Sequence, residues 1–385
     1  MRYLHFILIV LFATTAYGET LHVGPDQAFS RIEDAVSAAK PGATIIVHPP
    51  RPNGAVYEEV KLMIDKPNLT IQAANPNDPI VLDGDGVNYT GAGSTPRAIV
   101  QFCAHGSGGT LDGFILRNAH NETHNAAGVR ISQANNVTIS RCDIFNNDMG
   151  IMSDGCVAAR ASGRGYASEK AGFEDTHFHT GTDLVGRAGK QGVEPLGANQ
   201  LITHCRITDN GAEEEPGYNH NLYLGGDSVK IQYSEIARAK TGHNVKCRVH
   251  RVTISNCSIH DAANREIDLV DGKDCTDAPG SNALISNCSI KKDPLCKGNH
   301  GCIHFGKDGG AAHDGAIVLK NYAIETPFSS PVIELTDGKD VVLFDNVFSD
   351  AGSGAPATLI KSHGNQKSIR AGNKIPDKWN LDNRQ

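Results

Sequence analysis

The stretch Val252-Thr253-Ile254-Ser255-Asn256-Cys257-Ser258-Ile259 decides the fold, because it returns almost unchanged as Ala283-Leu284-Ile285-Ser286-Asn287-Cys288-Ser289-Ile290. Both reduce to an aliphatic residue, two variable ones, a thiol, a gap and a second aliphatic. The same frame reads Ile139–Cys142–Ile144 and Ile202–Cys205–Ile207 upstream, and Ile231–Ser234–Ile236 with serine in the thiol slot. Looser copies are Leu111–Phe114–Leu116, Leu319–Tyr322–Ile324 and Leu343–Asn346–Phe348. Self-similarity of this kind signals stacked supersecondary units. The units are short strands with no helical pattern between them, so an all-β solenoid is expected, as one domain over residues 19–385.

Working outward, residues 1–18 read as a signal peptide. Arg2 supplies the positive charge, Phe6 to Phe12 is apolar, and Ala16-Tyr17-Gly18 is a small-x-small cleavage site. The apolar run is too short to span a bilayer. A secreted protein without a membrane span is therefore expected. With 36 basic against 43 acidic residues the formal charge is -7, which argues against a nucleic-acid partner. It does not exclude an acidic glycan, because local charge decides that.

Phe29 to Lys40 carries Ile32, Ala35, Val36 and Ala39 at helical spacing, and Pro41-Gly42 ends the helix. Thr44 to Val47 begins the strands, followed by Val60–Ile64, Leu69–Ala73 and Ile80–Leu82. Such a helix would cap the open end of the stack. The polar tail from Gly364 is expected to cover the other end or fray. Between successive strands the chain passes in a few residues, as from Tyr223 to Val229. The exception is a loop insertion at about 156–198, rich in Arg, Lys and His.

Of the ten cysteines, Cys142, Cys205, Cys257 and Cys288 share the thiol slot and are expected to point inward as small hydrophobes, with Cys247 beside them. Cys275 and Cys296 lie in inter-strand loops and are expected to form a disulfide. Two of the Asn-x-Ser/Thr sequons, at Asn256 and Asn287, immediately precede the thiol slot.

This pattern resembles the right-handed parallel β-helix proteins of the pectate-lyase-like superfamily. The resemblance rests on the capping helix, the Gly42-Ala43-Thr44-Ile45-Ile46-Val47 strand and the coils that follow, and it covers nearly all of the mature chain. It is specific for fold, since one solenoid serves lyases, hydrolases, epimerases, phage tailspikes and adhesins.

The chemistry lies on the strand before each repeat. Consecutive coils read His220-Asn221-Leu222-Tyr223, His243-Asn244-Val245-Lys246-Cys247-Arg248 and Arg265-Glu266-Ile267-Asp268-Leu269, then Cys302-Ile303-His304-Phe305 and Val332-Ile333-Glu334-Leu335. Period-two alternation turns Leu222, Val245, Ile267, Ile303 and Ile333 inward. It sets Asn221, Tyr223, Asn244, Lys246, Arg248, Glu266, Asp268, His304 and Glu334 on the outer face. With strands about 4.8 Å apart, Tyr223, Lys246 and Asp268 form one vertical row, and Asn221, Asn244 and Glu266 the row beside it.

In the superfamily it resembles, this sheet forms the polysaccharide groove. The resemblance implies β-elimination on a uronic-acid-containing, acidic polysaccharide. Lys246 would abstract the proton, Arg248 would pair with the sugar carboxylate and Tyr223 would protonate the leaving oxygen, with Asp268 beside them. Asn221, Asn244, His220 and His243 would orient the sugar, joined by His304 and Arg130. Ca²⁺ on Glu266 and Asp268 would cancel the effect of those carboxylates on Lys246.

A hydrolase would use Glu266 and Asp268 as an inverting pair, their Cα atoms roughly 6.5–7 Å apart. Against it, the superfamily's Asn-Thr-Asp strand and Asp-Asp pair are missing, and Gly242-His243-Asn244 stands where Gly-His-Gly would. The Asp-Pro-His-Asp of mannuronan epimerases is missing too. A third alternative is a glycan-binding or structural protein in which the charges form a solvated ladder, and His220 and His243 merely hydrogen-bond each other's backbone. Tyr223 is the one aromatic residue in the row, which favours chemistry over pure adsorption.

Overall fold

The computed structural model describes residues 18–50, 56–92, 95–155, 196–214, 216–272, 275–277, 279–351, 354 and 356–384. Of the expected signal peptide (1–18), residues 1–17 lie outside the described residues, as do residues 156–195 of the expected insertion (156–198).

The described chain is a parallel β-helix whose coils stack three rows of strands. The first row includes Ala98–Phe102, Ala127–Ser132, Met149–Asp154, Ile267–Val270, Ile303–Gly306 and Ile333–Leu335. The second includes Thr138–Ser140, Gln200–Thr203, Ala283–Ser286 and Ile317–Lys320. The third includes Asp143–Phe145, Arg206–Thr208, Ser258–His260 and Ser289–Lys291. Strands Leu222–Gln232 and Val245–Ser255, each of 11 residues, run unbroken from the first row into the second. There the short connection expected between Tyr223 and Val229 is replaced by continuous strand.

In-register pairing carries Ile45, Ile71, Leu111, Ile139, Ile202, Ile231, Ile254, Ile285, Leu319 and Leu343 through the core as one column. Every member is fully buried. Between the second and third rows the chain turns a corner through one left-handed residue, with φ between 50° and 54° at Arg141, His204, Tyr233, Asn256, Asn287, Asn321 and Asp345. Asn and Asp tolerate this conformation best, which accounts for the sequon asparagines Asn256 and Asn287.

The next residue is the thiol slot, and it points inward as expected. The thiols of Cys142, Cys205, Cys257 and Cys288 donate to the carbonyls of Ser140, Thr203, Ser255 and Ser286, each two residues back, at 3.2–3.3 Å. Ser234 makes the same bond to Gln232 at 2.9 Å. In these five coils the slot takes a small side chain with one proton to give. Cys296 is a free thiol that donates to Ala263, so the expected Cys275–Cys296 disulfide does not form.

The capping helix is Ile32–Ala38, shorter than expected because Phe29 bridges to Val23. It follows a strand, Thr20–Val23, that pairs with Thr44–Val47. At the other end, strands Lys367–Ala371 and Asn380–Arg384 extend the rows and Trp379 is buried, so the tail covers the stack.

A second buried column is polar. Asn147 donates to Asn210 at 3.0 Å, Asn210 to Asn221 at 2.8 Å, Asn221 to Asn244 at 2.7 Å, and Asn244 to Glu266 at 2.6 Å. Lys292 closes the column 3.4 Å from Glu266 Oε1, and all six residues are fully buried. Asn221, Asn244 and Glu266 were expected on the outer face. They stand one residue before the strands that start at Leu222, Val245 and Ile267, where the backbone is still turning and period-two alternation does not hold.

Burial pushes the Glu266 carboxyl up from 4.5 to about 7, against the pull of Lys292 and the hydrogen bonds it accepts. A raised folded-state value means that its stability contribution is full below pH 4.5 and is lost as pH rises through 7. Glu266→Gln should remove that dependence. Wild-type unfolding free energy should fall by about 3 kcal/mol relative to the variant between those limits, as read from denaturant midpoints. A difference constant across this range would mean that Glu266 is ionised in the fold throughout.

Candidate functional site

Pairing along the first row sets Gln101, Arg130, Met152, Tyr223, Lys246, Asp268, His304, Glu334 and Lys361 in one outward column. Tyr223, Lys246 and Asp268 therefore stack as expected. Two residues along each strand, the outward neighbours of Arg248 are Gly225 on one coil and, by continuation of the register, Val270 on the next. The missing side chain at Gly225 leaves the Arg248 guanidinium free to turn towards the row of Tyr223.

Asp268 is the hub. Its Oδ2 accepts from Lys246 Nζ at 2.7 Å and faces His243 Nε2 at 3.4 Å; its Oδ1 meets His304 Nδ1 at 2.8 Å and Arg265 Nη1 at 3.3 Å. Burial alone would push this carboxyl up. The His304 hydrogen bond and the nearby positive charge outweigh it and hold Asp268 well below the usual carboxylate range. With both oxygens engaged, Asp268 ties Lys246, Arg265 and His304 together. His304 is equally occupied, its Nε2 lying 2.7 Å from Thr336 Oγ1. Glu334 pairs with Arg265 at 2.8 Å and with His363 at 3.1 Å.

His220 and His243 stack with ring centroids 5.0 Å apart, and Tyr223 meets the His220 ring edge-on at 5.3 Å. Each Nδ1 accepts a backbone N–H from the next coil: His243 N on His220 at 2.9 Å and Arg265 N on His243 at 3.1 Å. The backbone role weighed from the sequence is thus realised. It leaves each ring its proton on Nε2. Burial lowers both, His220 well below 6.5 and His243 to about 4, so both rings stay neutral.

Lys246 Nζ is shared between Asp268 and a residue not foreseen, Asp308, at 2.8 Å. The same Asp308 oxygen accepts from Arg248 Nη2 at 3.0 Å, while Arg248 Nε donates to the Tyr223 phenolic oxygen at 3.3 Å and Nη1 to the Asp271 carbonyl. Burial would raise the Asp308 carboxyl, but Lys246 and Arg248 hold it below its ordinary value. Lys246 Nζ donates to both carboxylates, so it is not placed as the proton-abstracting base assigned to it by resemblance. The turn signal Lys307-Asp308-Gly309-Gly310, just beyond the His304 strand, was the sequence clue to Asp308.

Arg130 is buried farther along the column, 3.7 Å from Asp154 and 3.6 Å from the Met152 sulfur, away from this cluster. Asn221, Asn244 and Glu266 lie in the inner column and do not face the groove. Glu266 and Asp268 thus spend their oxygens on different partners and do not fit a shared Ca²⁺. Among the described residues no group of three or more His, Cys, Asp or Glu side chains is placed to hold a metal ion. Asp83-Gly84-Asp85-Gly86 is a turn, as Asp83 accepts from Asp85 N, Asn118 and Arg117.

A family model described as right handed beta helix region matches residues 128–311. Among solved structures, the chain is similar to an alginate lyase from Paenibacillus sp. str. FPU-7, with 14% identity and a TM-score of 0.52 over 94% of this chain and 97% of that one. It also matches a pectin methylesterase from carrot, with 11% identity and a TM-score of 0.49 over 93% and 90%. A pectate lyase matches with 11% identity and a TM-score of 0.47 over 93% and 80%. No sequence among curated proteins matches. The chain is therefore a right-handed parallel β-helix of the pectate-lyase-like fold.

Removing the hub tests the electrostatic description. Asp268→Ala strips the buried partner of Lys246, Arg265 and His304, and breaking such a pair costs about 3–5 kcal/mol. The expected result is a loss of that size in unfolding free energy at neutral pH. A loss below about 1 kcal/mol would mean that water already screens these charges.

Proposed function

We propose that this protein is exported and cleaves a uronic-acid-containing polysaccharide by β-elimination in this groove. One observation carries the reading: Lys246 Nζ and Arg248 Nη2 converge on a single carboxylate oxygen, at 2.8 and 3.0 Å, beside a phenol. Elimination at a uronate requires its carboxylate charge to be neutralised, so that the neighbouring C–H can lose a proton. The fold shared with an alginate lyase makes polyuronates the class to test.

In this mechanism Lys246 and Arg248 hold the sugar carboxylate where Asp308 now sits, and the neutral ring of His220 donates through Nε2 to a sugar oxygen. Tyr223 carries the proton. Its phenolate takes the proton at C5, the released pair forms the C4–C5 double bond, and the C4–O4 bond breaks. The departing O4 then takes the proton from Tyr223, which returns to phenolate. Arg248 Nε stabilises the charged phenolic oxygen at both stages.

A hydrolase needs a groove carboxyl that stays protonated near neutral pH. Among the described residues the outward carboxyls Asp268, Asp308 and Glu334 are all held low, and the raised one, Glu266, lies in the inner column. For export, the support is the signal-like start of the chain; among the described residues no helix is long and apolar enough to cross a membrane.

Incubation with alginate, pectate and glycosaminoglycan uronates should release unsaturated sugars, followed by ultraviolet absorbance. Tyr223→Phe should lower kcat by about 10²–10⁴-fold, whereas Arg248→Ala should raise KM as well. New reducing ends without absorbance would replace this reading with hydrolysis.

A further inference from the structure

The two carboxylates on Lys246 differ in how they are held. Asp268 has a side chain 1% exposed and is gripped on both oxygens; Asp308 is 39% exposed. Its Oδ2 meets only Lys246 and Arg248, and its Oδ1 takes no hydrogen bond among the described residues.

The backbone beneath Asp308, by contrast, is clamped. The Asp271 carboxylate accepts the N–H groups of Asp308, Gly309 and Ala311, the last two at 2.9 and 3.0 Å. Thr336 Oγ1 accepts from Lys307 N at 2.7 Å and donates to Lys307 O at 2.8 Å. Beyond lies open space, since a Cβ at Gly310 would meet nothing within 4 Å. The loop is therefore a fixed mount for one side chain that rotation about χ1 swings off the cations.

We infer that Asp308 is a resident anion occupying the carboxylate subsite, which a uronate carboxylate displaces on binding and which returns to expel the product. The inference rests on reading the groove as a uronate site. Exchange of one carboxylate for another leaves the charge on Lys246 and Arg248 balanced at every stage, so neither largely buried cation loses this anion. A neutral sugar brings no anion and cannot drive the exchange. Asp308 thus sets the affinity for acidic substrate by competing with it, and the gain from removing it is confined to carboxylate ligands.

The test is calorimetric titration in a Tyr223→Phe background, which binds without turnover. The probes are alginate- and pectate-derived tetrasaccharides, with cellotetraose as the neutral comparison. Asp308→Ala should tighten binding of at least one oligouronate on the order of tenfold, with a steeper salt dependence, and leave cellotetraose unchanged. Asp308→Asn, which keeps the shape and loses the charge, should move the same way and carries the test should the alanine variant not fold. Unchanged or weaker oligouronate binding in a folded variant, or an equal gain for cellotetraose, overturns the inference.

The two readings fail separately. Tighter oligouronate binding in a protein that yields no unsaturated product keeps the resident anion and removes the lyase. Unsaturated product from the wild type, with no tightening in either variant, does the reverse.

Discussion

The constraint on which everything else depends is register. Each coil lies about 4.8 Å above the last, and in-phase pairing stacks like positions on like. An inward side chain therefore has its counterparts from the coils above and below as neighbours, and a choice that suits one coil must suit three. The aliphatic column satisfies this with Ile and Leu. In five coils the thiol slot satisfies it with Cys or Ser, because one small donor meets one carbonyl two residues back. The polar column satisfies it with Asn, which gives and accepts at once and so passes a hydrogen bond along the stack. Where Glu266 replaces Asn the relay ends: its carboxyl accepts from Asn244 and from Ala262 N, and the fully buried Lys292 lies beside it.

The same register, read on the outer face, spaces charges as closely as the core spaces methyl groups. From Lys246 upward the column runs ammonium, carboxylate, imidazole, carboxylate, ammonium, through Asp268, His304 and Glu334 to Lys361. The opposite charges of Lys246 and Asp268, and of Glu334 and Lys361, make that column nearly self-compensating. The balance fails at one place, where Arg248 adds a second cation beside Lys246 over the gap left by Gly225. A loop carboxylate, Asp308, corrects the excess from outside the column. At this end of the column the sheet alone does not balance the charge; a loop completes the balance.

How much of this was legible depends on which physical rule governed each residue. The aliphatic column and thiol slot were, because burial imposes a repeat that survives substitution around it. Tyr223, Lys246 and Asp268 were, because they lie within strands and alternate faithfully. Asn221, Asn244 and Glu266 were misplaced because the alternation was extended one residue too far, into the corner. Asp308 was missed because loops carry no period, and its approach to Lys246 is set by Asp271 and Thr336 from other coils. The Cys275–Cys296 pairing failed for a related reason: nearness in sequence between loops does not bring their sulfurs together.

These misplacements bear on the chemistry. Had Glu266 and Asp268 both faced the groove, their spacing would have suited an inverting acid and base. Turned inward, Glu266 is raised by burial to a value that would fit a general acid, in a place no sugar reaches. The groove keeps only carboxyls bound to cations and so held in their charged form. Among the described residues this surface has fixed anions, two convergent cations and a tyrosine oxygen, and no outward carboxyl that is held up. It does have the means to neutralise a carboxylate and to move one proton, and these are what elimination requires.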